Sequence, residues 1–184
     1  MWTLTEPNPV KLIVGMLAAN NQCLHAATEA LTDKFGTADF TSDVWPFEMT
    51  DYYKDQTGSR ILRQFVSIER LINPGKLAEI KLRTNKLEWK LAKALRIPLP
   101  RPVNLDPGVI EPSKLVLATT KNYSHRIYIG KKMYAEVTLI FDKGRWQPLS
   151  HTYPDYRQQC YFDFFEKVRA RLLEQLKSCR LQKI

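Results

Sequence analysis

The spacing of apolar and polar positions changes several times along the chain, and each change marks an element. From Lys11 to Ala18 the residues are almost all apolar, as in a short buried strand, and Asn20-Asn21 ends the run. Cys23, Ala26, Ala27, Ala30, Leu31 and Phe35 then recur at helical spacing, with Asn20 or Asn21 as N-cap and Gly36 at the stop. Phe40 to Phe47 is weakly patterned and carries Pro46, which suits an edge strand or an irregular segment. Between Arg60 and Glu69, Leu62, Gln64, Val66 and Ile68 alternate with Ile61, Arg63, Phe65 and Ser67, predicting a strand with one mainly apolar face. A second helix opens with Asn73 as cap and Pro74 at its first position, follows the stripe Leu77, Ile80, Thr84, Leu87, Leu91, Leu95, and stops near Ile97-Pro98-Leu99-Pro100. Thr84 lies in that stripe with Asn85 and Glu88 beside it; these three satisfy one another as a helix edge or face a neighbouring strand.

The centre of the chain is β-rich. Val103 to Leu105 leads into Asp106-Pro107-Gly108, an order that predicts a type II turn. Leu115 to Thr119 reads as a buried strand, and His125 to Ile129 with Met133 to Phe141 as a hairpin. A three-residue loop, Gly130-Lys131-Lys132, would pair Ile129 with Met133, Ile127 with Ala135 and His125 with Val137. That register sets an apolar face on helices and leaves Arg126, Tyr128, Tyr134, Glu136 and Thr138 on the other. His151 to Asp155 opens a third helix, capped by Thr152 or Tyr153, with Asp155 in its first turn, Arg157 one turn in, and Phe162, Phe165, Val168, Leu172 and Leu176 as its buried stripe. The element order predicts one α+β domain over residues 1–184: a mainly antiparallel sheet with helices packed on one face, a ferredoxin-like start and extra strands.

Charge adds a partner class. The chain has 184 residues and a formal charge of +9, which favours an anionic partner such as a nucleotide, RNA, DNA or an acidic lipid surface. Its densest basic run, Lys76 to Arg96, lies on the second helix, where such charge is more often a solvated face than a nucleic-acid contact. Cys23, Cys160 and Cys179 have no C-x-x-C spacing, which suits reduced thiols in the cytoplasm. The first residues lack a basic stretch followed by an apolar one, and no run approaches a membrane-spanning length, so a soluble protein without a membrane partner is expected.

Ionisable residues concentrate between Val103 and Arg157, on sheet-forming sequence rather than in a loop. Such groups are costly to bury unless paired, so they form a polar network or a ligand site. Arg126 can grip a phosphate or carboxylate with two parallel hydrogen bonds, Lys121 supplies a mobile charge, and a helix N-terminus near Asp155 would add backbone donors. Asp106 and Glu136, if they share a cavity, can bind a divalent cation or act as acid and base beside His125. Tyr128, Thr84, Asn85, Asp155 and Arg157 complete the candidate ligand contacts. Each has a plainer role: Arg126 with Glu136 as a cross-strand ion pair, Asp106 as a turn residue, Asp155 as a helix-start residue. His25, His125 and His151 lack the spacing of a helical zinc pair, and neither Ser124 nor Cys160 has a G-x-S-x-G context.

Several motifs, in order, also resemble the bacterial family called domain of unknown function 4416. They are Lys11-Leu12-Ile13-Val14-Gly15, Thr50-Asp51-Tyr52-Tyr53, Lys81-Leu82-Arg83-Thr84-Asn85 with Glu88, Asn104 to Gly108, Lys114 to Lys121 with His125 to Tyr128, Ala135 to Leu139, and Thr152 to Arg157. The resemblance spans nearly the whole chain and implies no particular activity. The family pattern has an aromatic residue where this chain has His151. Some similar members carry a GTP-binding label; this chain has no G-x-x-x-x-G-K-[ST], and Asn85-Lys86 is not followed by the Asp of a guanine-reading N-K-x-D.

Two function classes follow. One is a pocket for an anionic small molecule or nucleotide, with or without a reaction through Asp106, Lys121, His125, Arg126 and Glu136. The other is a nucleic-acid surface on which Tyr123, Tyr128, Tyr134, Tyr153 and Tyr156 stack on bases. A scaffold whose polar centre only fixes the fold is the third. An enclosed cavity holding those five side chains would favour the pocket.

Overall fold

The computed structural model describes residues 4–48 and 54–181, which leaves Thr50-Asp51-Tyr52-Tyr53 outside the described residues. Strands β1 (Lys11–Ala18), β2 (Ala38–Thr41), β3 (Trp45–Phe47), β4 (Ile61–Ile68), β5 (Val103–Glu111), β6 (Lys114–Thr119), β7 (Ile127–Gly130), β8 (Met133–Asp142) and β9 (Arg145–Pro148) form one sheet. Its order is β2-β4-β1-β5-β6-β8-β7, with β3 also on β4 and β9 also on β8, and its ladders are antiparallel. The helices are α1 (Asn21–Phe35), the short α2 (Lys54–Thr57), α3 (Leu77–Leu95) and α4 (Gln159–Leu181). The fold is α+β with a mainly antiparallel sheet, and β2-β4-β1-β5 with α1 and α3 is the expected ferredoxin-like start.

Local chemistry sets the first boundaries as expected. The Asn20 side chain accepts from Cys23 N–H at the head of α1, and Gly36 ends it at φ 107°. Asn73 accepts from Gly75 N–H and caps a 3-10 turn, Pro74–Lys76, that leads into α3.

The expectation of helices on one face holds for α1 and α3 and fails for α4. Leu12, Val14 and Met16 pack with Leu24, Leu31, Ile80 and Leu91 on one side of the sheet. Ile13, Phe65, Ile110 and Leu115 pack under Tyr161, Phe165, Val168 and Leu172 of α4 on the other. A strand as uniformly apolar as β1 is buried on both faces, so it requires a cover on each. The second face of β4 is therefore buried too, including Arg63 and Ser67.

Three further expectations change. Asp106-Pro107-Gly108 is not a turn but part of β5, continuously paired with β1. Pairing of β5 with β6 begins only at Gly108, immediately after Pro107, which has no N–H to offer a ladder. At Gly108 a Cβ would lie 2.6 Å from Leu117 Cδ2 and from the Val116 carbonyl oxygen, so glycine permits the two strands to meet there.

The β7–β8 hairpin keeps Ile127 opposite Ala135 and Tyr128 opposite Tyr134, but Gly130 rather than Ile129 faces Met133. Its loop is two residues, Lys131-Lys132, with φ of 53° and 62° as in a type I′ turn, and a bulge between Tyr128 and Gly130 restores the register. His125 and Arg126 precede β7, in a turn closed by Arg126 N–H to the Tyr123 carbonyl.

The third predicted helix is a 3-10 turn, Pro154–Arg157, followed by a break at Gln158 and then α4. Asp155 and Arg157 therefore lie outside α4, and no long-helix N-terminus stands at Asp155. No helix among the described residues is long and apolar enough to cross a membrane.

Candidate functional site

Where β5 and β6 part, a cavity of about 510 Å³ opens, lined by Lys81 of α3 as well as by Arg63, Asp155 and Tyr156. Asn104 and Asp106 of β5 line one wall, and Leu117, Ala118 and Thr119 of β6 line the other. A register shift in the β6–β8 ladder, between Leu115 opposite Leu139 and Val116 opposite Val137, puts Glu136 opposite Leu117. Strict alternation along β8 would have kept Glu136 and Leu139 on opposite faces; the bulge places both on the α4 side.

Five cations and three acids meet around this space: Arg63, Lys81, Arg101, Lys121 and Arg126 with Asp106, Glu136 and Asp155. They form three groups. In the first, Arg63 of β4 donates from Nη2 to Asp155 Oδ2 at 2.8 Å, both side chains being almost wholly buried. The guanidinium lies 5.1 Å, 5.4 Å and 5.7 Å from the ring centroids of Phe47, Phe65 and Tyr156. Its Nε and Nη1 have no hydrogen bond of ordinary geometry, nor does the Tyr156 hydroxyl. Gly15 is what gives this corner its room, because a Cβ there would fall 2.9 Å from Arg63 Nη1 and 3.2 Å from the Tyr156 oxygen.

In the second group, Lys81 of α3 donates to the Leu105 carbonyl at 2.7 Å and approaches Asp106 Oδ1 at 3.4 Å, while Asn104 donates to Asp106 Oδ2 at 2.6 Å. Behind them, Glu88 accepts from Leu105 N–H at 2.8 Å and from Arg101 Nε and Nη2 at 2.8 Å and 2.6 Å.

In the third, Arg126 donates from Nε to Glu136 Oε2 at 2.7 Å, from Nη1 to the Lys121 carbonyl and from Nη2 to the Tyr153 hydroxyl. His125 Nε2 reaches the same Glu136 oxygen at 3.0 Å, and the His125 ring stacks on His151 with centroids 4.1 Å apart. His151 Nε2 donates to the Val137 carbonyl at 2.9 Å.

Burial dominates the electrostatics. It raises the Asp155 pKa, with the Arg63 charge opposing and the Asp106 charge adding to the rise. Burial also raises Glu88, against the pull of Lys81 and Arg101, and lifts Tyr156 far enough to keep its hydroxyl protonated. Desolvation works against the Arg63 charge, but the surrounding anionic field wins and its pKa is raised.

Of the residues expected at the site, Asp106, Lys121, Arg126, Glu136 and Asp155 come together on the cavity wall. His125 stands behind Glu136. Thr84 is buried and bonds the Lys81 carbonyl within its own helix, and half-buried Asn85 is not on the wall. Tyr128 projects from the edge strand β7, 59% exposed, beside Tyr134. Arg157 ties its turn to the carbonyls of Leu149, Ser150 and Thr152. Sequence reasoning missed Arg63, Lys81 and Arg101, and it has Tyr156 as a base-stacking residue rather than part of a cavity wall. Two signals pointed there: an arginine between Ile61 and Phe65, and a glycine within the apolar run of β1.

Asp106 and Glu136 do share the cavity, as a divalent cation would require, but each is bonded to a cation, Lys81 and Arg126. Among the described residues no group of three or more His, Cys, Asp or Glu side chains gathers that could hold a metal. The arrangement suits hydrogen-bonded recognition of an anion in a pocket.

No curated protein and no solved structure matches the chain. A family model matches residues 8–172, nearly the full length, and the chain belongs to the family described as Domain of unknown function (DUF4416).

Proposed function

We propose that the cavity binds a small ligand carrying a phosphate or carboxylate group. The observation that carries this reading is Arg63: a buried guanidinium, held by Asp155 and three aromatic rings, that lines the cavity with neither Nε nor Nη1 in a hydrogen bond of ordinary geometry, although the Tyr161 hydroxyl also approaches the group. A buried donor without a partner costs about 1–3 kcal/mol, so a site that retains two of them is matched to an acceptor supplied from outside. Lys121 and Lys81 add positive charge to the same wall. All three nitrogens of Arg126 already bond Glu136, Lys121 and Tyr153, so Arg126 shapes the mouth while Arg63 grips.

The nucleic-acid reading rests on tyrosines forming one platform. Tyr123 and Tyr128 are exposed, but Tyr156 is buried against Phe65 and Phe165, which favours the pocket. The three cysteines are free thiols, consistent with a reducing, cytoplasmic setting.

The test is a thermal-shift series with inorganic phosphate, pyrophosphate, acetate and mononucleotides on wild type and Arg63→Lys. A ligand that binds the native form raises the midpoint. The expected result is a phosphate- or carboxylate-dependent rise in wild type that Arg63→Lys loses. No shift with any of these ligands, or an equal shift in both proteins, would overturn the reading.

A further inference from the structure

Three residues that line the cavity carry buried polar atoms without a hydrogen bond of ordinary geometry, and these atoms are of two opposite kinds. Arg63 Nε and Nη1 are donors, and the Tyr156 hydroxyl can also donate; Glu136 Oε1 is an acceptor. Arg63 and Glu136 are each 3% exposed, Tyr156 is equally buried, and all three line the same space. A simple anion answers only the donors. It leaves Glu136 Oε1 unpaired and sets a further negative charge near Asp106 and Glu136.

The chemistry that would complete Oε1 is narrowed by what Oε2 already holds. Oε2 takes the Arg126 guanidinium at 2.7 Å and meets His125 Nε2 at 3.0 Å, so the Glu136 charge is already balanced. A second cation is not called for; a neutral O–H or N–H suffices. Oε1 therefore asks for a hydroxyl or an amide-type N–H rather than an ammonium group.

We infer that the ligand is an anion bearing a neutral hydrogen-bond donor on the same small frame, with its phosphate or carboxylate on Arg63 and Tyr156 and its O–H or N–H on Glu136 Oε1. This rests on the anion-binding reading above and adds the second group. A volume of about 510 Å³ has room for both, within the range of small-molecule sites.

Titration calorimetry with inorganic phosphate, propyl phosphate, glycerol 3-phosphate and ribose 5-phosphate separates the two claims. At least one of the two hydroxylated phosphates should bind wild type about tenfold tighter than propyl phosphate, the worth of one hydrogen bond to a charged acceptor. Glu136→Gln, which turns an amide N–H₂ toward the cavity while its oxygen stays with Arg126, should bring that ratio close to one. The ratio is read because removing a negative charge strengthens every anion alike. If both hydroxylated phosphates bind wild type no tighter than propyl phosphate, or the ratio survives in Glu136→Gln, the inference is wrong although anion binding stands. If none of the four binds, phosphate recognition at the cavity falls, and this inference with it. Should Glu136→Gln fail to fold, the wild-type ratio decides alone.

Discussion

Two polar regions lie within the same fold, both built around buried charge, and they differ in how completely their valences are met. At the seam between α3 and β5, Glu88 uses both oxygens, one on Leu105 N–H and one on Arg101, while Lys81 bonds the Leu105 carbonyl and Thr84 bonds the Lys81 carbonyl. The seam fastens a helix to a strand. At the Arg63 corner, one guanidinium nitrogen meets Asp155, the other two make no hydrogen bond of ordinary geometry although the Tyr161 hydroxyl approaches the group, and the Tyr156 hydroxyl is likewise without one. Gly15 keeps a side chain out of that space. Buried charge is common to both and therefore says little about function; the unmet valence distinguishes a place built to close the fold from one built to receive something.

The sharpest way to break this contrast is to remove each key charge in turn. Arg63→Met leaves Asp155 buried without its partner, so folding stability should fall by about 3–5 kcal/mol in urea unfolding, together with loss of phosphate binding. Arg63→Lys restores the cation without the planar fork; most of the stability should return and phosphate affinity should not. At the seam, Glu88→Ala orphans the Leu105 N–H, while Arg101, about a third exposed, can rehydrate, so the expected loss is smaller, about 2–3 kcal/mol. Phosphate affinity per folded molecule should be retained there. Were Glu88→Ala to abolish binding while Arg63→Lys preserved it, the roles assigned to the two regions would be reversed.

Much of this architecture is legible in the chain because local rules and tertiary packing agree. Asn20 and Gly36 bound α1, Asn73 and Pro74 announce α3, and the uniformly apolar β1 reads as buried. The misreadings occur where long-range packing overrides a local preference. Pro107-Gly108 has turn chemistry, yet β1 holds it extended, and the same two residues mark where β5 and β6 separate and the cavity begins. Alternation alone puts Glu136 on the polar hairpin face, and a bulge in the β6–β8 ladder, invisible to alternation, turns it to the α4 side. Asp106, Lys121, Arg126, Glu136 and Asp155 were recognisable as a group because they sit close together in sequence on β-patterned segments. Arg63 and Lys81 belong to β4 and α3, and only the β4-β1-β5 strand order and the packing of α3 on β5 bring them to the same wall.

The smallest expected effect, and the one that probes the corner without dismantling it, is its response to pH. Burial raises the Asp155 pKa above its ordinary 3.8, with Arg63 only partly offsetting the rise and Asp106 reinforcing it. Between 3.8 and the raised folded value, the native state retains a proton that the unfolded chain has released. Stability from this group is therefore greatest at the acid end of that window and declines as pH rises through it. Asp155→Asn keeps an acceptor for Arg63 Nη2 and removes the titration. Urea unfolding of both proteins at a series of pH values isolates the term: the stability of wild type relative to Asp155→Asn should decrease with rising pH across the window and then level off. A difference that increases with pH would mean that Arg63 holds Asp155 ionised more firmly than burial opposes it, and the corner would then be a completed ion pair.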